Sequence, residues 1–198
     1  MTDYANSQTR KLGPLDGIEW HALDPLQRVL LVTDGTVTAI LEAAFLESIQ
    51  VVKLSQEVVK ATGSHALLQP SLEESIVERR VLLRGVVTGR NYVYAESLIA
   101  VNRMGPAFCR LLFDSDTPLG QLWLDQKLET YKEMVEMRSA AGGPGAEYLE
   151  CGSLEILIRK YRIYSGGIPV MIISEHFPRK FPPAAESYDA KLIGRGRY

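Results

Sequence analysis

Two pairs of β-rich runs, each folded about a cluster of turn residues, constrain this chain more than any other feature. Ile76 to Val101 holds two such runs around Thr88-Gly89-Arg90-Asn91. Leu154 to Tyr164 and Ile168 to Phe177 repeat the arrangement around Ser165-Gly166-Gly167. Apolar, β-branched and aromatic residues interrupted by Gly and Asn read as long hairpins, and hairpins impose antiparallel sheet. Ile49 to Val59, rich in β-branched residues, supplies a further strand, and Gly63 ends whatever follows it. In Leu128 to Arg138 the Lys, Glu and Met residues favour a helix while the neighbouring sheet favours a strand; the segment is read as a strand.

The helices lie mostly ahead of and between these strands. Asp24-Pro25 is a helix start, with Asp as N-cap and Pro at the first helical position, and Leu26 to Val32 runs into Asp34-Gly35 as a stop. Thr36 then caps a second helix whose Val37, Ile40, Leu41, Ala44 and Phe45 fall on one buried face. Pro106 to Phe113 reads as a third helix, and Thr117-Pro118-Leu119-Gly120 opens a short turn or helix. Ala140 to Gly145, with Gly142-Gly143-Pro144-Gly145, reads as a mobile loop leading into a strand. Helices followed by long antiparallel strands make an α+β domain spanning residues 1–198, with 1–17 and 179–198 as tails or packed arms.

Composition narrows the possible functions. With 198 residues, 46% hydrophobic and 23% charged, the chain can bury a sizeable core without disulfide or metal staples. Cys109 and Cys151 are single and far apart, which matches no metal spacing and no disulfide framework. The net charge of −2, with both signs interspersed, lacks the basic stripe that a nucleic-acid binder needs. No apolar run approaches the ~20 residues of a membrane span, and Met1 to Lys11 are polar rather than signal-like. A cytoplasmic protein with no nucleic-acid partner and no membrane span is expected.

Side chains alternate across a strand, and this isolates two charges. Val77, Arg79, Val81 and Leu83 share one face, so Arg79 interrupts an apolar row. Met171, Ile173, Glu175 and Phe177 share another, with Glu175 as its one charge. An ion buried without a partner is costly, so each must meet another charge, hydrogen-bond donors, or a ligand. One reading pairs Arg79 and Glu175 with each other, or with Glu96 and Arg162, as ion pairs within the sheet. The other makes an apolar slot with a cationic clamp for a carboxylate and an acceptor for a hydroxyl, which suits a small hydroxylated ring acid.

Other features carry less. His176 follows Glu175 but points to the opposite face, which fits a surface or supporting residue. His21 and His65 are isolated, and Ser97, Ser165 and Ser174 lie in no nucleophile elbow. No phosphate-cradling glycine loop is present. Tyr92, Tyr94, Tyr161 and Tyr164 read as sheet packing, and Lys132 and Glu133 as exposed strand charges.

Taken in order, seven segments resemble the chorismate pyruvate-lyase (4-hydroxybenzoate synthase) family, especially its divergent branch outside the ubiquinone enzymes. They are Thr33-Asp34-Gly35-Thr36-Val37-Thr38, Glu78 to Gly85, Ala95-Glu96-Ser97-Leu98-Ile99, Thr117-Pro118-Leu119-Gly120, Glu129-Thr130-Tyr131-Lys132-Glu133, Tyr161 to Gly167, and Ser174-Glu175-His176-Phe177. The resemblance runs from about Leu30 to Pro178 and implies a six-stranded antiparallel sheet flanked by helices, with a buried site under helical flaps. By resemblance Arg79 binds the ring carboxylate, Glu175 hydrogen-bonds the ring hydroxyl, and backbone amides at Thr36 or Val37 and at Leu119 complete the carboxylate site. Glu96 stands where the ubiquinone branch carries an arginine, which leaves Arg162 or Lys132 for the second carboxylate.

The implied reaction removes pyruvate from chorismate and makes the ring aromatic. It needs positioning and charge complementarity rather than a cofactor, with no metal and no nucleotide. A planar product sealed beneath flaps is expected to leave slowly and to inhibit. The family's better-known members imply a monomer, and its product feeds quinone rings or phenolic lipids. The same fold serves as the effector-binding domain of bacterial repressors, so a small-molecule sensor without turnover is a second possibility. The residues ahead of Leu30 show no basic recognition helix, which favours the enzyme over the repressor. A lyase acting on another chorismate-derived acid is a third.

Overall fold

Three successive strands, β2 (Ile49–Lys60), β3 (Ser75–Gly85) and β4 (Asn91–Ala100), form one antiparallel meander, and β5 (Tyr131–Ala141), β6 (Glu155–Ser165) and β7 (Ile168–Pro178) form another. The two join by antiparallel pairing of β4 with β7, which puts these strands at the centre of the sheet. This is a computed structural model, and it describes residues 15–71, 73–115, 117–127, 129–149 and 155–181. The six-stranded antiparallel sheet expected from the resemblance is present. A two-residue strand, β1 (Leu15–Asp16), adds a parallel seventh beside β5, giving the order β1-β5-β6-β7-β4-β3-β2. Leu15 and Asp16 thus extend the sheet from the unpatterned N-terminal segment. Two residues carry no periodicity from which such a strand is read.

Helices α1 (Pro25–Val32), α2 (Val37–Phe45), α3 (Pro106–Asp114), α4 (Leu119–Asp125) and α5 (Pro144–Tyr148) complete the fold. At the start of α1, Asp24 accepts from the Gln27 amide and Gln27 reaches back to the Asp24 amide, a reciprocal cap. The Gln27 side chain also donates to the carbonyls of Pro178 and Arg179, tying α1 to the end of β7. Thr36 occupies the N-cap of α2, but its side chain makes no capping bond.

One face of the sheet carries two apolar clusters. Under α1 and α2 lie Val81, Leu83, Ala95, Leu157 and Phe177 with Leu30, Leu31 and Leu41. Those three leucines are fully buried, each worth about 1.5–3 kcal/mol. Under α3 and α4 lie Val77, Ile99, Tyr161, Ile163 and Met171 with Phe108, Leu112 and Leu122. The two covers do not merge, and the seam between them crosses the middle of the sheet. Register shifts between Lys53 and Ser55 in β2 and between Met134 and Glu136 in β5 lie beside that seam. Bulges of this kind bend a strand and increase its twist.

The opposite face is closed by α5 over Leu82, Tyr94, Ile156 and Ile158, and by the 3₁₀ turn Gly63–Leu68 over Ile76 and Ala100. Here one expectation is corrected. Gly142-Gly143-Pro144-Gly145 leads into a helix, α5, and not directly into a strand. Gly142 and Gly143 take positive φ values of 73° and 86°, and Pro144 stands at the first helical position, where its missing N–H costs nothing. Gly145 is buried against His176, so close that a Cβ there would lie within 3 Å of the imidazole ring. His176 does face away from Glu175, but it is buried rather than a surface residue. Burial pushes its pKa down.

Candidate active site

Cross-strand register places the two singled-out charges on one face. Arg79 lies opposite Ser97, Ser97 opposite Ile173, and Ile173 opposite Tyr161. The adjacent row on the same face runs Val81, Ala95, Glu175, Arg159. Arg79 and Glu175 are therefore two strands apart (~9.6 Å) and one row apart (~6.8 Å), roughly 12 Å between Cα atoms from standard strand spacings. Both side chains rise from the same face of the sheet.

A cavity of about 330 Å³ occupies the seam and is lined by both residues. That volume suits one small ligand. Its floor is the sheet, with Ala95, Ser97 and Ile173 on the strands that run from Arg79 to Glu175, and Tyr161 and Ile163 beyond them on β6. One lip is Asp34 to Thr38, the turn between α1 and α2 with the first two residues of α2, and the other is Pro118 to Gly120 at the start of α4. The lips touch: a Cβ on Gly120 would lie 2.8 Å from Thr36 Cγ2, so only glycine allows this approach. The first amides of α2, left without a side-chain cap by Thr36, belong to the first lip. A helix N-terminus with unsatisfied N–H groups favours anions.

The polar groups are buried and specifically engaged. Arg79 is 2% exposed, Arg159 1% and Glu175 8%. Glu175 Oε2 accepts from Arg159 Nε, and Glu175 Oε1 accepts from the Tyr161 hydroxyl at 3.2 Å. Burial, and then the Glu175 charge, push the Tyr161 hydroxyl well above its usual pKa, so it stays a donor. Lys132 projects from β5 into the cavity, donates to the Asp34 carbonyl, and lies 5.3 Å from the centre of the Tyr161 ring. Desolvation, and next the nearby Arg159 charge, lower the Lys132 pKa, against opposing pulls from Glu175 and Asp34. Trp123, on α4, lines the cavity with its indole N–H buried and without an acceptor among the described residues.

Of the sequence candidates, Arg79, Glu175, Thr36, Val37, Leu119 and Lys132 come together around this cavity. Arg162 does not line it. It lies on the other face of β6, bound to Glu133 and to the Leu67 carbonyl at 3.1 Å, because consecutive strand residues face opposite ways. Glu96 is likewise on the other face, near Arg80 and Tyr94. Lys132 is half-buried in the site rather than an exposed strand charge, and Tyr161 serves the site as well as packing. Arg159, missed from the sequence, was recoverable there: Leu157, Arg159, Tyr161 and Ile163 form an apolar row broken by one charge, the pattern that exposed Arg79 and Glu175.

The fold is shared with effector domains and other C-terminal domains of bacterial regulators. The effector domain of PhnF from Mycobacterium smegmatis is similar with a TM-score of 0.59 at 11% identity, covering 88% of this chain and 100% of that one. The C-terminal domain of a histidine utilization repressor from Pseudomonas syringae pv. tomato gives 0.56 at 14% identity, covering 70% and 99%. At such identities these structures bear on the fold alone.

Sequence comparison goes further. The family described as Chorismate pyruvate-lyase Rv2949c-like matches residues 31–185. A chorismate pyruvate-lyase of Mycobacterium leprae is 30% identical over 165 residues, 81% of this chain and 78% of that protein. One from Mycobacterium tuberculosis H37Rv is 28% identical over 158 residues, 77% and 79%. The chain belongs to the Rv2949c-like chorismate pyruvate-lyase family, and it is a lyase. No helix among the described residues is long and apolar enough to cross a membrane.

Proposed function

We propose that this lyase converts chorismate to 4-hydroxybenzoate and pyruvate in the cavity between Arg79 and Glu175. The observation that carries the reading is their placement on adjacent cross-strand rows, at separate stations of one cavity, each as the one charge on the apolar face of its own strand. Chorismate presents a ring carboxylate and a ring hydroxyl at opposite ends, with the enolpyruvyl ether between them. Arg79 takes the ring carboxylate, supported by the first amides of α2 at Thr36 and Val37 and by Leu119 at the other lip. Glu175 accepts the hydrogen bond from the hydroxyl.

In the reaction the ether C–O bond breaks, the ring carbon bearing the hydroxyl loses its proton, and the departing enolpyruvate gains a proton to become pyruvate. Aromatisation makes the sequence strongly downhill, so the protein supplies orientation and charge complementarity. Glu175 puts a base at the end of the ring where the proton is lost. Lys132 offers the enolpyruvyl carboxylate a cation inside the cavity, where Arg162 does not reach. Contact between the lips at Thr36 and Gly120 excludes water and retains the product.

The test is incubation of chelator-treated protein with chorismate, following pyruvate and 4-hydroxybenzoate together. Equimolar products, sharply reduced in Arg79→Ala and in Glu175→Gln, are expected. Absence of turnover, with 4-hydroxybenzoate still bound by wild type and not by Arg79→Ala, overturns the lyase assignment in favour of a sensor of aromatic acids.

A further inference from the structure

We propose that Arg159 is a positioning residue, which fixes the Glu175 carboxylate in the orientation that meets substrate and joins it to the root of the loop covering the cavity. The inference rests on the reading of Glu175 as the residue that meets the ring hydroxyl. Arg159 is the most deeply buried charge of the site at 1% exposure, yet it lies behind the cavity wall rather than in it. Its Nε donates to Glu175 Oε2, and its Nη1 donates to the Thr33 carbonyl at 3.1 Å. Thr33 ends α1, and the next residue begins the covering loop. The guanidinium is held between the rings of Tyr161 and Phe177, 5.2 and 5.7 Å from their centres. One rigid cation therefore fixes both the carboxylate and the loop's starting point.

Stability alone does not explain this arrangement, because a buried ion pair is often no better than well-packed apolar groups of the same volume. Orientation does. A planar guanidinium pinned by two rings allows the carboxylate few rotations, and the Tyr161 hydroxyl restrains its other oxygen. Each carboxylate oxygen keeps a further lone pair for the substrate hydroxyl. The charged or titratable groups around Glu175 are Arg159 and Tyr161 from β6 and Lys132 from β5, with Asp34 beyond Lys132 in the covering loop and Arg79 across the cavity on β3.

A double-mutant cycle on the full chain tests the proposal. Arg159→Met is expected to lower kcat for chorismate by about 10²-fold, the effect of a misplaced catalytic group. KM changes far less, because the Arg79 clamp is untouched. In a Glu175→Gln background the same substitution costs no more than about twofold, since the group it positions is gone. Should Arg159→Met fail to fold, Arg159→Lys carries the cycle, because a point charge cannot hold Glu175 and the Thr33 carbonyl together. Equal losses in both backgrounds, or a loss that falls on KM rather than on kcat, overturn the positioning role. Wild-type turnover by Glu175→Gln alone instead overturns the reading of Glu175.

Discussion

Substituting Gly120 by alanine should wedge apart the two segments that cover the cavity. The new Cβ would stand 2.8 Å from Thr36 Cγ2 and 3.4 Å from Thr36 Cβ. Carbon atoms rest at about 3.5 Å or more, so the lips must separate by roughly 0.7 Å or Thr36 must turn. Gly120 lies in α4, where alanine is intrinsically favoured by about 1 kcal/mol, so the strain falls on the closed arrangement rather than on the helix. Overpacking costs about 1–3 kcal/mol. Applied to an opening equilibrium, that is about a 5–150-fold shift toward the open form. Stopped-flow displacement of 4-hydroxybenzoate should show dissociation accelerated within that range, with product inhibition weakened in proportion. Thr36→Ser deletes the opposing methyl, so the double variant should return to within about twofold of the wild-type dissociation rate. Unchanged dissociation in Gly120→Ala, or failure of Thr36→Ser to rescue it, would refute the argument that this contact governs release.

The other predictions concern charge. Lys132→Met should raise KM for chorismate about tenfold or more, the worth of a charged hydrogen bond, while Arg162→Ala leaves KM unchanged, because Arg162 serves Glu133 on the other face; steady-state kinetics of both variants checks this. Glu47 accepts from the Val87 and Thr88 amides and from the hydroxyls of Thr88 and Tyr92. Burial alone would raise its carboxyl, but these bonds together outweigh it and hold its pKa below the usual range. A depressed carboxylate stabilises the fold fully above its unfolded value of about 4.3, and the contribution disappears as pH falls through the lower, folded value. Thermal melts of Glu47→Gln should therefore show a deficit at neutral pH that shrinks under acid conditions. A deficit independent of pH would contradict this.

How far the sequence could be read depended on whether a feature repeats along one strand or arises between strands. Period-two alternation isolates Arg79 and Glu175, and applied evenly to β6 it would have added Arg159 and set Arg162 on the wrong face. The glycine-rich stretch before α5 was harder. Its two left-handed glycines look like a loop in sequence, and a helix of five residues carries almost no periodicity of its own.

What the sequence determined by itself is local and periodic: the hairpins, the Asp24 cap of α1, and the charges set in apolar rows. Those follow from propensity and side-chain direction, which act between near neighbours in the chain. Which charges meet was decided only in the tertiary structure. Pairing of β4 with β7 sets the Arg79 row one step from the Glu175 row, and pairing of β7 with β6 puts Arg159 directly opposite Glu175. The Thr36 and Gly120 lips touch only because helices from distant parts of the chain cover adjoining halves of one face. Such contacts depend on strand order and register, set by the packing of the whole sheet and not by any segment of it.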